Sequence, residues 1–122
     1  MDRKGLTLIE LVVVVVIVGV LASIVIPKFA NTREKAYLAS MKSDLRNLVT
    51  AEEAYFADSI AYTTNLGPAY RTSTGVLGPT ITLTGDGWTA LVGHTTTTRT
   101  CAVYTGSTAL APATKEGAPQ CT

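Results

Sequence analysis

The chain has 122 residues, a net charge of +1 and two cysteines, and 47% of its residues are hydrophobic. With ten Lys and Arg against nine Asp and Glu, the composition excludes a general electrostatic case for nucleic-acid binding. Once the apolar N-terminal stretch is set aside, the remaining length allows one small domain.

A short basic leader ends at Gly5 and is followed by the apolar block Leu6 to Ile26. As a helix this block would be about 31 Å long at ~1.5 Å per residue, which matches the hydrocarbon thickness of a bilayer. Glu10 lies inside the block, although an acidic side chain at the centre of a membrane helix costs about 2.5 to 3.5 kcal/mol. The sequence therefore predicts a membrane-spanning helix in which Glu10 has a function.

Two further features mark the block. Gly19 lies four positions before Ser23, so one helix face either allows close contact with another helix or simply contains small residues that a membrane helix tolerates. Pro27 removes a backbone donor and crowds the preceding turn, which predicts a kink between Val25 and Lys28.

Two simpler interpretations of this N-terminus are a secretory signal peptide and a plain membrane anchor. A signal peptide requires a cleavage site flanked by small residues, and the best candidate, Leu21-Ala22-Ser23, fits poorly. A plain anchor explains the length of the block but explains neither Gly5 nor Glu10. The sequence therefore favours a segment in which the leader, the glycine and the glutamate act together.

Beyond Pro27, apolar residues continue at helical spacing and predict a second, amphipathic half of the same helix. The helix should end near Asp58 to Thr64, which gives one element of about 50 residues and roughly 75 to 80 Å. Its apolar stripe needs a partner surface, and the C-terminal part of the chain is the candidate. The stripe contains Leu38, Met41, Leu45, Leu48 and Tyr55, broken only by Glu52.

From Asn65 onward the residues Gly, Thr, Ser and Pro dominate, and the pattern predicts a loop followed by an antiparallel meander packed on the helix. The loop is Leu66 to Pro79, and the strands are Thr80 to Thr84, Trp88 to Gly93 and Thr100 to Tyr104. The inward candidates are Ile81, Leu83, Trp88, Ala90, Val92 and Val103, with the alternate set, one register step away, as the other choice.

Two turns connect the predicted strands. Gly85-Asp86-Gly87 is a strong hairpin signal between the first two strands. His94 to Arg99 predicts a longer polar turn before the third strand. Within it, Thr95 to Thr98 form a hydroxyl-rich patch that is either a polar loop or a site of O-glycosylation.

Cys101 and Cys121 lie 20 positions apart in the part of the chain that follows the predicted helix. A bond between them would close a loop around the otherwise structureless tail Gly106 to Thr122 and would be worth about 3 kcal/mol. The alternative is two free thiols, and an extracytoplasmic head favours the bridge. Their separation lacks the close spacing of a metal or redox motif.

No catalytic constellation is evident in the sequence. His94 lies in a polar turn with no cysteine or carboxylate at motif spacing, which predicts a solvated turn residue. We interpret Glu52, Glu53 and Asp58 as part of a solvated helix face. The sequence therefore predicts no enzyme, no metal site and no cofactor.

The run Lys4-Gly5-Leu6-Thr7-Leu8-Ile9-Glu10, followed by Gly19 and Pro27, resembles the type IV pilins and their pseudopilin relatives. The resemblance is strongest from Lys4 to about Tyr62. It implies an α+β pilin fold, in which the second half of a long N-terminal helix packs on a small antiparallel sheet. The implied segments are a leader (1–5), a transmembrane and assembly helix (6–29) and a head (30–122). Within the head, an amphipathic helix (30–60) and a loop (61–79) precede a three-stranded sheet with a disulfide-bounded tail (80–122).

The resemblance also implies roles for individual residues. In this family a membrane peptidase cuts after the glycine that matches Gly5 and methylates the new amino terminus, here Leu6, where phenylalanine or methionine is usual. The glutamate that matches Glu10 is needed for assembly and methylation. The pair Cys101 and Cys121 resembles the disulfide-bounded region of type IV pilins, whereas major pseudopilins commonly rely on a bound calcium ion.

The function implied is that of a structural subunit of a type IV pilus, a helical homopolymer with no specific nucleic-acid site. Its partners would be the prepilin peptidase, the pilus assembly machinery of the inner membrane and, before assembly, membrane lipid. The subunit would move from the bacterial inner membrane to an extracellular pilus.

Three other functions follow from the same residues. The first is a pseudopilin of a type II secretion system, and the second is a monomeric anchored binding protein, for which so small a head has little room for a pocket. The third is electron conduction, since Phe29, Tyr37, Phe56 and Tyr62 match aromatics discussed as an electron path in short pilins of metal-reducing bacteria. Structural roles explain each of these aromatics equally well.

Overall fold

A computed structural model describes residues 4–122. One long helix, α1 (Leu8–Ser59), is followed by a short 3₁₀ turn (Gly67–Ala69) and a four-stranded antiparallel sheet. The strands are β1 (Val76–Leu83), β2 (Trp88–His94), β3 (Thr97–Thr105) and β4 (Gln120–Cys121), and they lie in the order β1-β2-β3-β4. The predicted α+β pilin-like fold is confirmed.

The chain divides into two compact units, the first ending at Glu34 and the second comprising Lys35 to Thr122. The described part of the first unit is almost entirely the start of α1, and its side chains from Lys4 to Arg33 are all exposed. The helix runs through Pro27 without interruption, and the kink expected at this proline stays a prediction. The second unit contains the rest of α1 and the sheet, and we call it the head.

The core of the head forms where the C-terminal part of α1 packs on the sheet. The helical stripe contributes Met41, Leu45 and Leu48, each fully buried, at the spacings of three and four that place side chains on one helix face. Trp88, the single tryptophan, is the first residue of β2 and is also fully buried. The remaining buried residues of this cluster are Val76, Ala90, Val92, Cys101 and Val103.

Four of the six predicted inward residues of the sheet are buried, namely Trp88, Ala90, Val92 and Val103. Ile81 is partly buried against the core. Leu83 lies on the inward face, opposite the buried Trp88, but it is 46% exposed and is not part of the core. The strand register pairs Leu83 with Trp88 directly before the hairpin. At the end of the strand, beside the turn, the helix no longer covers Leu83.

The predicted three-stranded sheet is wrong in two places. β1 begins at Val76, so residues 76–79 belong to a strand and not to the loop, and Gly78 and Pro79 lie in a register irregularity between Leu77 and Thr80. A bulge on an edge strand accepts a proline, which has no N–H to donate. The fourth strand, β4, is only two residues long and pairs with Cys101 and Ala102, which is too short for a hydrophobic pattern to reveal.

The turn between β2 and β3 is also shorter than predicted. His94 pairs with Thr97, so only Thr95 and Thr96 form the turn and the threonines that follow are strand residues. Threonine is β-branched and fits a strand well, which explains why these polar residues take part in the pairing of β2 with β3.

His94 is only 8% exposed, so the prediction of a solvated turn residue is wrong. Its ring stacks on Tyr37 of α1, with centroids 4.4 Å apart. The Thr96 N–H donates to Nδ1 (3.1 Å), and the Thr96 hydroxyl lies 2.8 Å from the same nitrogen. A Cβ on Gly75 would lie 2.8 Å from Nε2, so a glycine is what leaves room for the ring.

Glu52 is fully buried, so its assignment to a solvated face is also wrong. Its Oε2 accepts a hydrogen bond from the Thr63 N–H (3.1 Å), and its Oε1 has no partner within residues 4–122. Desolvation raises the pKa of Glu52, the charge of Glu53 raises it further, and the bond from Thr63 opposes this shift. The carboxylate holds the chain that leaves the helix, but at a desolvation cost.

A second carboxylate connects α1 to the segment before β1. Asp44 is buried, and its two carboxylate oxygens accept from the N–H and the hydroxyl of Ser73, each at 2.8 Å. The Tyr70 hydroxyl donates to the Asp44 carbonyl (2.8 Å), and burial, with the nearby Asp44 charge, raises the pKa of Tyr70 to about 12. Tyr70 therefore stays protonated and a donor at any physiological pH.

The segment after β3 is bound to the sheet at several points. The structure contains the disulfide between Cys101 and Cys121, as the sequence led us to expect. The Arg99 guanidinium donates to the Thr122 carbonyl, and the Thr122 N–H donates to Thr100 (3.0 Å). The tail is thus held by covalent and hydrogen bonds, although most of it forms no strand.

We expect Glu52→Gln to stabilise the head at neutral pH by about 1 kcal/mol, because the amide removes a buried charge and still accepts from Thr63. The raised pKa means that the folded state binds a proton more readily than the unfolded state. Wild-type stability should therefore fall as the pH rises through the folded pKa of Glu52, and this fall should be smaller in the variant. Thermal unfolding of the full chain in detergent micelles, followed by Trp88 fluorescence, measures both effects.

The matched control is Glu53→Gln, at the neighbouring exposed carboxylate that accepts from the Tyr62 hydroxyl. It should change the unfolding temperature much less than Glu52→Gln does. Equal shifts in the two variants would show that burial of Glu52 is not what limits stability.

Reduction of the Cys101–Cys121 bond should destabilise the head by about 3 kcal/mol, since the bond closes a loop with a sequence separation of 20. The measurement is the unfolding temperature of the wild-type chain with and without reductant. The double variant Cys101→Ala/Cys121→Ala should unfold near the reduced wild type and should not respond to reductant. A wild type that reductant does not affect would contradict a stabilising bridge.

Candidate functional site

The candidate functional site is the start of the chain, where the predicted processing residues Gly5 and Leu6 precede the helix. Residues 4–7 have no regular structure and α1 begins at Leu8, so the peptide bond between Gly5 and Leu6 lies outside the helix. A protease binds its substrate most readily in non-helical chain, because the backbone groups of a helix are already paired with one another. The geometry therefore leaves this bond accessible.

Thr7 and Glu10 together cap the N-terminus of α1. The Glu10 carboxylate accepts from both the N–H and the hydroxyl of Thr7, each at 2.8 Å, and the Glu10 N–H donates back to the Thr7 hydroxyl (3.3 Å). This reciprocal arrangement is a capping box, which supplies partners for backbone N–H groups that a helix start leaves unpaired. Glu10 is thereby held within its own chain, one turn from the predicted cleavage point.

Thr7 is a site residue that our sequence interpretation missed. The signal was present, because Thr7-Leu8-Ile9-Glu10 has the Thr-x-x-Glu spacing of a capping box immediately before an apolar run. The sequence alone indicates for Glu10 a role in assembly and methylation. The structure adds a local role, which is to define where the helix begins.

The apolar surface that follows has no cover within the chain. Side chains from Leu8 to Ile26 are exposed around the whole circumference of the helix, with Ile9 at 70% and Ile26 at 69%. This part of α1 is long and apolar enough to cross a membrane. A helix that is hydrophobic on all sides requires lipid or other apolar helices around it.

The predicted packing residue Gly19 lies on this exposed surface. A Cβ added at Gly19 would meet nothing within 4 Å, so the glycine serves no contact inside the chain. The nearby Ser23 hydroxyl donates to the Val20 carbonyl (2.7 Å), which satisfies the hydroxyl without a partner helix. Close contact at Gly19 stays a prediction about other molecules.

The four aromatics considered as an electron path occupy different surroundings. Phe56 stacks on Tyr62 (4.7 Å between centroids), and Tyr62 lies edge-on to Trp88 (6.4 Å). Tyr37 stacks on His94, and Phe29 is 61% exposed. Three of the four therefore have packing partners in the head. Within residues 4–122, no three His, Cys, Asp or Glu side chains lie close enough together to hold a metal ion.

Comparison with known proteins agrees with this N-terminal architecture. The prokaryotic N-terminal methylation motif matches residues 1–26. The type IV major pilin protein PilA of Myxococcus xanthus is 38% identical over 60 residues, which is 49% of this chain and 27% of the relative. The type II secretion system core protein G of Escherichia coli is 44% identical over 66 residues, which is 53% of this chain and 46% of the relative.

A third relative, the type IV wide pilus major component PilA4 of Thermus thermophilus, is 36% identical over 64 residues, which is 52% of this chain and 49% of the relative. The chain thus spans about half or less of the length of these relatives. No solved structure matches it significantly.

The motif, the exposed apolar helix and the sheet-bearing head together have the organisation of a pilin-like protein. The chain has the prokaryotic N-terminal methylation motif and is similar, over about half of its length, to type IV pilins and to core protein G of type II secretion systems.

Proposed function

We propose that this chain is the structural subunit of a type IV pilus that polymerises through α1 into an extracellular filament. The observation that carries the proposal is the start of α1, where a capped glutamate follows a non-helical Gly5–Leu6 bond and precedes a fully exposed apolar surface. Lipid covers that surface before assembly, and the helices of other copies cover it afterwards. The role is structural and requires no catalytic group.

Segments of the chain take separate tasks in this proposal. Residues 1–5 are the leader that the prepilin peptidase removes, and the same enzyme methylates Leu6. Residues 6–29 form the transmembrane and assembly helix, in which Gly19 permits close helix contact and Pro27 adjusts the helix direction. Residues 30–122 form the head, which the assembly machinery of the inner membrane adds to the growing filament.

Glu10 controls assembly through its charge. In a filament core of apolar helices, an ionised carboxylate without a cation would cost several kcal/mol. Removal of the leader creates an amine at Leu6, and this amine is the cation that becomes available beside the helix start. In the uncut chain the neutral Thr7 N–H and hydroxyl donate to the Glu10 carboxylate. Thr7 stays in the mature chain, so cleavage adds a cation beside these donors.

The pairing also sets the register between subunits. The valine-rich block offers nearly the same apolar surface after each helical turn, so apolar contact alone selects no axial position. An incoming amine that reaches a Glu10 already in the filament does select one, because any other position leaves two charges unpaired in a region of low dielectric constant.

A pseudopilin of a type II secretion system is the second candidate, because core protein G of that system is among the relatives. The Cys101–Cys121 bridge favours the pilus, since it stabilises the tail covalently where a bound calcium ion would be the alternative. Electron microscopy of surface appendages, followed by mass spectrometry of sheared filaments, distinguishes a long extracellular pilus from a short periplasmic one.

The mature chain should begin at Leu6 and should have a methylated amine that keeps its positive charge. Intact-mass measurement of filament protein tests this directly. A chain that retains Met1, or one with a new terminus near Ser23, would contradict processing at the predicted bond and would support an anchor or a signal peptide.

Glu10→Gln should be cleaved and inserted in the membrane but should give at least tenfold fewer filaments, because the amide keeps a cap acceptor and loses the charge. The matched control is Thr7→Val, which removes the capping hydroxyl and keeps the charge. Filament yield by shearing, with cleavage checked by mass, measures both variants. Abundant filaments from Glu10→Gln would overturn charge-controlled assembly, and loss in Thr7→Val alone would assign the effect to the cap.

A further inference from the structure

Ile60, the first residue after α1, has a backbone conformation that its side chain disfavours. Its φ is 55°, in the left-handed region, where glycine or asparagine commonly ends a helix and a β-branched residue is an outlier. The Ile60 N–H donates to the Phe56 carbonyl (2.8 Å), so the turn itself is well formed. The side chain is 81% exposed, and burial within the chain therefore does not offset the strain.

Ile60 belongs to an exposed apolar surface, which we call the Ile60 patch and define as Phe56, Ile60 and Leu83. These side chains line an open cavity of about 340 Å³ beside the β1–β2 hairpin, and Phe56 and Leu83 are 37% and 46% exposed. The charged residue that lines the cavity is acidic, and so is the charged residue of the adjoining helix turn. Asp86 lines the same cavity, Asp58 lies on the last turn of α1, and that turn contains no basic residue.

A second exposed apolar surface lies on the first unit, and we call it the Phe29 groove. It is a cavity of about 350 Å³ lined by Val25, Lys28, Phe29 and Thr32. Phe29 is 61% exposed and Val25 is 43% exposed. The charge inside the groove is opposite to that of the patch, because Lys28 lines it, whereas Arg33 and Glu34 of opposite sign follow beyond it.

We propose that, in the assembled filament, the Ile60 patch of one copy packs into the Phe29 groove of another copy, with Asp58 and Asp86 facing Lys28. The inference rests on the proposed function, since it requires copies of the chain to assemble. Opposite charge around two apolar surfaces makes a second copy the occupant that fits. Two different surfaces of one chain meet in this contact, and a contact of that kind repeats into an open helical filament.

The strain at Ile60 has a reason in this arrangement. A glycine at this position would fold more easily but would remove the most exposed side chain of the patch. Isoleucine at this position therefore lowers the stability of the free subunit but adds apolar contact in the filament. This trade is typical of strained residues that act in recognition.

Photo-crosslinking tests the contact. A benzoylphenylalanine replaces Ile60 in the full chain, expressed in cells with a prepilin peptidase and pilus assembly machinery, and filaments are formed from a mixture of isotopically light and heavy chains. We expect mixed-isotope adducts that map to residues 25–33. The same photoprobe at Lys115, an exposed tail residue, is the control and should not label this segment.

Adducts to lipid alone, to another protein or to a different segment of the neighbouring copy would overturn the proposal, as would intact filaments without adducts. Absence of filaments from the wild-type chain would instead contradict the proposed function. The two failures are therefore distinguishable.

A pair of variants separates folding from assembly. Ile60→Gly should raise the unfolding temperature of the head by a few degrees and should lower the filament yield several-fold, whereas Ile60→Leu should retain filaments. Unfolding is followed by Trp88 fluorescence in micelles, and filaments by sedimentation after graded heating in detergent. Ile60→Gly filaments with wild-type yield and heat resistance would show that the patch makes no contact.

Discussion

The apolar surface of Leu8 to Ile26 is the constraint on which the rest of the structure depends. Every side chain of this segment is exposed in the isolated chain, and such a surface is incompatible with water. The head must therefore fold from what remains, with a core of one helical stripe and four short strands. A core of this size explains why carboxylates, a histidine and a disulfide all contribute to holding it together.

The fold could be predicted well wherever hydrophobic periodicity was strong. The stripe through Met41, Leu45 and Leu48 repeats at helical spacing, and the hairpin at Gly85-Asp86-Gly87 has a local turn signal. β4 could not be recognised, because a two-residue strand has no period and exists through its pairing with Cys101 and Ala102. β1 begins earlier than predicted because a proline in the sequence usually indicates a loop. Here Pro79 lies in a bulge of the strand, and the sequence alone does not show that bulge.

The buried polar residues show a different limit of sequence reasoning. Glu52 lies on the apolar stripe of the helix and His94 continues the inward alternation of Trp88 and Val92, so periodicity alone favours burial at both positions. Their polar side chains argued for a solvated position, and the groups that accommodate them come from elsewhere in the chain, as when Tyr37 stacks on His94. The candidate site is the opposite case. The capping pattern formed by Thr7 and Glu10 is local and can be recognised in the sequence. The proposed roles of Gly5 and Leu6 depend instead on reactions with other molecules.

The bulge at Gly78 and Pro79 affects how readily the sheets of neighbouring heads could associate when the heads are close together. A filament would concentrate many identical heads, and unpaired sheet edges at such a concentration favour strand addition between molecules and cross-β aggregation. β1 is an edge strand whose ladder is interrupted by a proline, and β4 at the other edge is two residues long. Neither edge offers the long flat template that an incoming strand requires. The strand edges of the head therefore disfavour amyloid-like growth, and helix packing is the route by which the proposed filament would grow.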